Sequence, residues 1–126
     1  MSLQIRSQER KPCFFELALE GRLDTETYRQ LEQMIEVQTA NTVKAVVLDL
    51  SKLDYISSMG LRVIFKAMKD LKAKNAVFMV TNMQPQIRRV FEIANAIPES
   101  SVFTSIAEAD AYYDTVQEKI KKGESI

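Results

Sequence analysis

Tyr55-Ile56-Ser57-Ser58-Met59-Gly60-Leu61 sets two adjacent hydroxyls between an apolar run and an amphipathic one. Paired serines at such a junction serve one of two ends. A hydroxyl accepts an unpaired backbone N–H in the first turn of a helix and acts as a cap, or it stays free for chemistry done to the protein. With Ser57 as the cap, Ser58 falls at the first helical position, and its hydroxyl points outward from the C-terminal edge of the preceding strand. Ligands of open α/β sheets gather at that edge. Gly60 costs up to ~1 kcal/mol inside a helix, and its missing side chain would let another protein come close.

Chemistry done by the protein itself has few residues to use. The chain has no histidine and one cysteine, Cys13. Cys/His zinc sites, intrachain disulfides and Ser-His or Cys-His nucleophilic pairs are thereby excluded. Cys13 alternates with Phe15, Leu17 and Leu19 and reads as a small core residue. Gly21-Arg22-Leu23-Asp24 has neither the G-x-G-x-x-G pattern nor a P-loop lysine, which argues against a nucleotide site. No metal, no cofactor and no enzymatic activity are expected.

Lys plus Arg and Asp plus Glu number 17 each, so the summed field is weak and gives no reason to expect a nucleic acid partner. At 126 residues the chain suits one domain, and three Gly and three Pro leave little room for long linkers. No apolar run approaches the roughly 20 residues of a membrane span, and MSLQIRSQERK lacks the apolar core of a secretory signal. A cytoplasmic protein with no direct membrane insertion is the expectation.

The elements that must position the serines follow from periodicity. Leu3–Ser7 and Cys13–Glu20 alternate as strands around a charged turn at Gln8–Pro12. From Asp24 to about Thr39, Tyr28, Leu31, Ile35 and Gln38 recur at helical spacing. Lys44–Leu50 is nearly continuous in apolar residues, the mark of a strand covered on both faces. Ser58–Lys74 carries Leu61, Ile64, Phe65, Met68 and Leu71 on one helical face. Ala76–Thr81 reads as a strand, and Pro85 opens a helix bearing Ile87, Val90, Phe91 and Ala94. After Pro98, Val102–Thr104 suits a short edge strand, and Ser105-Ile106-Ala107-Glu108 has the capping-box form that starts a last helix to about Lys121. Residues 122–126 should fray. Strands alternating with helices imply right-handed crossovers, hence a single α/β domain over 3–121 with a mixed sheet of about five strands and about four helices.

Asp49-Leu50-Ser51-Lys52-Leu53-Asp54-Tyr55-Ile56-Ser57-Ser58-Met59-Gly60-Leu61-Arg62, with Gly21-Arg22-Leu23-Asp24 upstream, resembles the STAS domain, and most closely the stand-alone anti-sigma factor antagonists of bacteria. The likeness runs from about Leu3 to about Val116. It implies a binding protein switched by phosphorylation, with Ser58 as phosphoacceptor and Asp24 as the acidic residue near it. Asp24, Thr25, Ser57, Ser58, Met59, Gly60 and Arg62 would form the partner surface. The implied partners are an anti-sigma factor that is also a serine kinase of the histidine-kinase-like ATPase fold, and a PP2C-type phosphatase. Ser57 stands where the best-known members have Asp, and Met59 occupies a position more often small. An alternative keeps the fold and drops the switch, as an accessory or regulatory module of a membrane transporter complex.

Overall fold

The computed structural model describes residues 2–94, 102–103 and 106–121. Among these the chain runs β1 (Leu3–Lys11), β2 (Phe14–Leu23), α1 (Tyr28–Thr39), β3 (Ala45–Ile56), α2 (Ser58–Ala73), β4 (Val77–Thr81), α3 (Pro85–Ala94), β5 (Val102–Phe103) and α4 (Ile106–Lys121). The strands lie side by side in chain order, β1 antiparallel to β2 and the others parallel. This is the expected mixed α/β sheet. Pro98, Ser105 and residues 122–126, to which the sequence assigned a break, a cap and a frayed tail, lie outside the described residues.

Because the strand order never reverses, successive right-handed crossovers put α1, α2 and α3 on one face. Leu31 and Ile35 of α1, Ile64 and Leu71 of α2, and Ile87 and Phe91 of α3 pack there against Leu17, Leu19, Val46, Leu48 and Val80. The opposite face holds Phe14, Ala45, Val47 and Met79 against Ala109 and Tyr113 of α4. Ala45, Val46, Val47 and Leu48 are all fully buried because alternate residues enter the two layers, which explains their unbroken apolar run. Each fully buried aliphatic side chain contributes about 1.5–3 kcal/mol.

The hairpin is tighter than expected. Gln8–Lys11 belongs to β1, since an edge strand tolerates charge on its open side, and the turn is only Pro12-Cys13. Cys13 has a φ of 64° and is half-buried in that turn, so it is not a member of the core row. Its carbonyl accepts the N–H groups of Lys44 and Ala45 at 2.8 and 3.2 Å, joining the turn to the start of β3. The hairpin tip also clamps α4. Arg10 donates to both carboxylate oxygens of Asp110 at 3.2 and 2.7 Å and to Glu16 at 3.0 Å, while Lys11 pairs with Asp114.

β3 runs six residues past the expected end at Leu50. Its ladder with β2 slips twice, from Ala18 opposite Asp49 to Glu20 opposite Lys52, and from Gly21 opposite Leu53 to Arg22 opposite Tyr55. Each slip adds one residue to β3, so buried positions recur every third residue, at Leu50, Leu53 and Ile56. β4 pairs with β3 only as far as Asp49 opposite Thr81. Beyond it Gln84 and Gln86 serve the open edge: Gln84 Nε2 donates to the Leu53 carbonyl at 2.8 Å and Gln86 Nε2 to that of Asp54 at 3.5 Å.

Candidate functional site

β2 and β3 end at the same level, with Leu23 opposite Ile56. The Ser57 N–H donates to the Leu23 carbonyl at 2.9 Å, so α2 starts directly against the end of β2. Ser57 has extended backbone and its hydroxyl accepts the Gly60 N–H at 3.1 Å, which makes it the N-cap of α2 as expected. Ser58 is the first residue of α2 and is exposed. Its hydroxyl has no hydrogen-bond partner among the described residues. Arg62, one turn further along α2, is exposed, and Met59 is half-buried.

The turn after β2 supplies the other side of the edge. Asp24 precedes α1 instead of opening it, because its carboxylate closes a separate turn. Its Oδ1 accepts the N–H groups of Glu26 at 3.0 Å and Thr27 at 3.2 Å. The Thr27 hydroxyl accepts the Asp24 N–H at 2.9 Å and donates to the Arg22 carbonyl at 2.7 Å. These donors, that of Glu26 foremost, favour the ionised carboxylate and hold Asp24 below the usual carboxylate range. Asp24 is therefore negative at neutral pH and fixed in place. Thr25 lies exposed in the same turn.

The structure thus brings Asp24, Thr25, Ser57, Ser58 and Met59 to one edge of the sheet, with Arg62 a turn below. Gly60 differs from expectation. It is buried, and a β-carbon there would stand 2.7 Å from Leu23 Cγ and 2.9 Å from the Leu23 carbonyl oxygen. The close approach that requires glycine is made by the chain's own β2, not left open for another protein.

Sequence reasoning passed over three residues here. Thr27, 5% exposed, completes the Asp24 turn; the three-residue spacing of Asp24 and Thr27 was its signal. Arg22 and Tyr55 sit opposite each other across the β2–β3 ladder, with the guanidinium 4.1 Å from the ring centroid. A pair 33 positions apart leaves no local signature.

The edge is a surface, not a crevice, since strand order does not reverse beside it. Among the described residues no helix is long and apolar enough to cross a membrane. Ser58 thus presents an exposed hydroxyl at the start of α2, on the edge where the Asp24 carboxylate is held by its own turn.

The model of the STAS domain matches residues 4–109. A protein of Bordetella bronchiseptica described as "Putative anti-sigma factor antagonist BtrV" is 35% identical over 97 residues, covering 77% of this chain and 84% of that protein. The anti-sigma-B factor antagonist of Listeria monocytogenes is 25% identical over 93 residues, covering 74% and 82%. The crystal structure of an anti-sigma factor antagonist from Mycobacterium paratuberculosis superposes with a TM-score of 0.78 at 22% identity, covering 90% of this chain and 95% of that one, a likeness of fold. With the family match spanning most of the sheet and three of the helices, the chain belongs to the STAS domain family.

Proposed function

We propose that this protein is an anti-sigma factor antagonist switched by phosphorylation at Ser58. Unmodified, it binds an anti-sigma factor at the edge formed by Asp24, Thr25, Ser57, Ser58, Met59 and Arg62, and so frees a sigma factor. The partner is also a serine kinase of the histidine-kinase-like ATPase fold. It transfers the γ-phosphoryl group of ATP to Ser58 Oγ, the hydroxyl proton leaves and ADP is released; the phosphorylated protein then dissociates. A PP2C-type phosphatase hydrolyses the ester and restores binding. The protein works in the cytoplasm as a binding partner, not a catalyst.

The observation that carries this reading is the division of labour between the serines: Ser57 is spent on the cap, whereas Ser58 is exposed and unpartnered among the described residues. Relatives of 35% and 25% identity that bear the antagonist name support it. The test is intact mass and site mapping after incubation with candidate kinases and ATP. One phosphate on Ser58, absent in Ser58→Ala, is expected. Label on Ser57, or no label with any kinase that binds the protein, would sink the switch; the second result is what a transporter accessory module would give.

A further inference from the structure

Arg22 and Tyr55 form a separate feature of the same edge. The Arg22 side chain is 44% exposed and Tyr55 42%, so the pair faces solvent. The second slip in the β2–β3 ladder creates it. Gly21 stands opposite Leu53, and in an unbroken ladder Arg22 would next meet Asp54, whose carboxylate would neutralise it. The extra residue in β3 instead places Tyr55 opposite Arg22 and leaves Asp54 to accept from Gln84 Nε2 at 3.2 Å. Bulges beside functional sites commonly re-aim a side chain in this way.

The Tyr55 ring lies against the guanidinium, and Nε lies 3.5 Å from Asp24 Oδ2, so the group is held from two sides. The two terminal nitrogens of Arg22 have no acceptor among the described residues. A pinned guanidinium with two free nitrogens in solvent has the geometry that takes a carboxylate through two parallel hydrogen bonds. Arg and Tyr are also the side chains that most often dominate the energetics of protein interfaces.

We infer that Arg22, held between Tyr55 and Asp24, is an anchor for a carboxylate-bearing segment of the anti-sigma partner, so that the docking surface continues from Ser58 across the ends of β2 and β3. This rests on the antagonist reading above. Arg22 makes the contact with the partner; Tyr55 positions it.

The test titrates the full chain, without ATP, against histidine-kinase-like anti-sigma proteins encoded in the same genome, with Tm measured for every variant. Arg22→Lys keeps the charge but loses the paired donors and should weaken binding by about tenfold at unchanged Tm. Tyr55→Phe keeps the ring and should bind within about twofold of wild type, while Tyr55→Ala should fall close to Arg22→Lys. Raising salt should weaken the wild-type complex more than the Arg22→Ala complex. If Arg22→Lys binds as wild type does while Ser58→Asp still loses binding, the anchor is wrong and the antagonist reading stands. If no candidate binds wild type, or Ser58→Asp binds undiminished, the antagonist reading fails and the anchor with it.

Discussion

Gly60 rests on Leu23 so closely that a β-carbon at position 60 would lie 2.7 Å from the Leu23 Cγ. Substituting Ala in an exposed helix interior gains up to about 1 kcal/mol, but here the clash forces the start of α2 away from the end of β2. Overpacking of this kind costs about 1–3 kcal/mol. Gly60→Ala should therefore be destabilised on balance, visible as a lower urea midpoint. A midpoint raised above wild type would show that the contact is slack.

Ser57 and Ser58, adjacent and chemically identical, should separate cleanly. Ser57→Ala removes the hydroxyl that accepts the Gly60 N–H and should cost about 1 kcal/mol in denaturant titration. Ser58→Ala removes a hydroxyl with no partner among the described residues, and stability should change by less than about 0.5 kcal/mol. If the proposed switch operates, the same substitution should leave the protein bound to an anti-sigma factor and refractory to phosphorylation.

Phosphorylation should break binding without breaking the fold. The phosphate brings about −1.5 to −2 charge to the start of α2, where the helix dipole favours it by roughly 0.3–1 kcal/mol. At a closed interface the same charge must be desolvated close to the fixed Asp24, at a cost of several kcal/mol. Affinity for the anti-sigma factor should fall by roughly a hundredfold or more while Tm hardly moves. Met59→Asp should weaken the complex more than the same change at Lys72, which is exposed near the far end of α2. Equal losses would place the surface elsewhere.

The Asp24 turn gives the stability a pH signature. Its folded pKa lies below the ordinary carboxylate value, so the ionised form stabilises the fold. That contribution is full above the unfolded value, about 3.9, and is lost as pH falls through the folded one. The stability gap between wild type and Asp24→Asn should accordingly be constant near neutrality and close below about pH 4. A gap that persists unchanged at acid pH would mean that the carboxylate charge plays no part.

Much of this site was legible in the chain. Ser57-Ser58 ahead of Leu61, Ile64 and Leu71 announced both a cap and a helix, because capping and amphipathic spacing are local. The end of β3 was not legible, since two bulges leave burial only at every third residue there, at Leu50, Leu53 and Ile56, and so remove the alternation that marks a strand. The charged Gln8–Lys11 suggested a turn because an edge strand may carry charge as freely as a loop. Gly60 and the Arg22–Tyr55 pair depend on what lies across the β2 boundary, and no spacing along the chain encodes that.

Strand order and chain order coincide, so each strand leaving the ribosome finds its neighbour already made. The face that α1, α2 and α3 cover is closed piece by piece during synthesis, whereas Phe14, Val47 and Met79 wait for Ala109 and Tyr113 of α4. A nascent chain halted after α3 would show that apolar strip to every other chain around it. The late arrival of α4, fastened to the hairpin tip through Arg10 and Lys11, is thus the step that covers this strip, and chaperone demand should be greatest just before it.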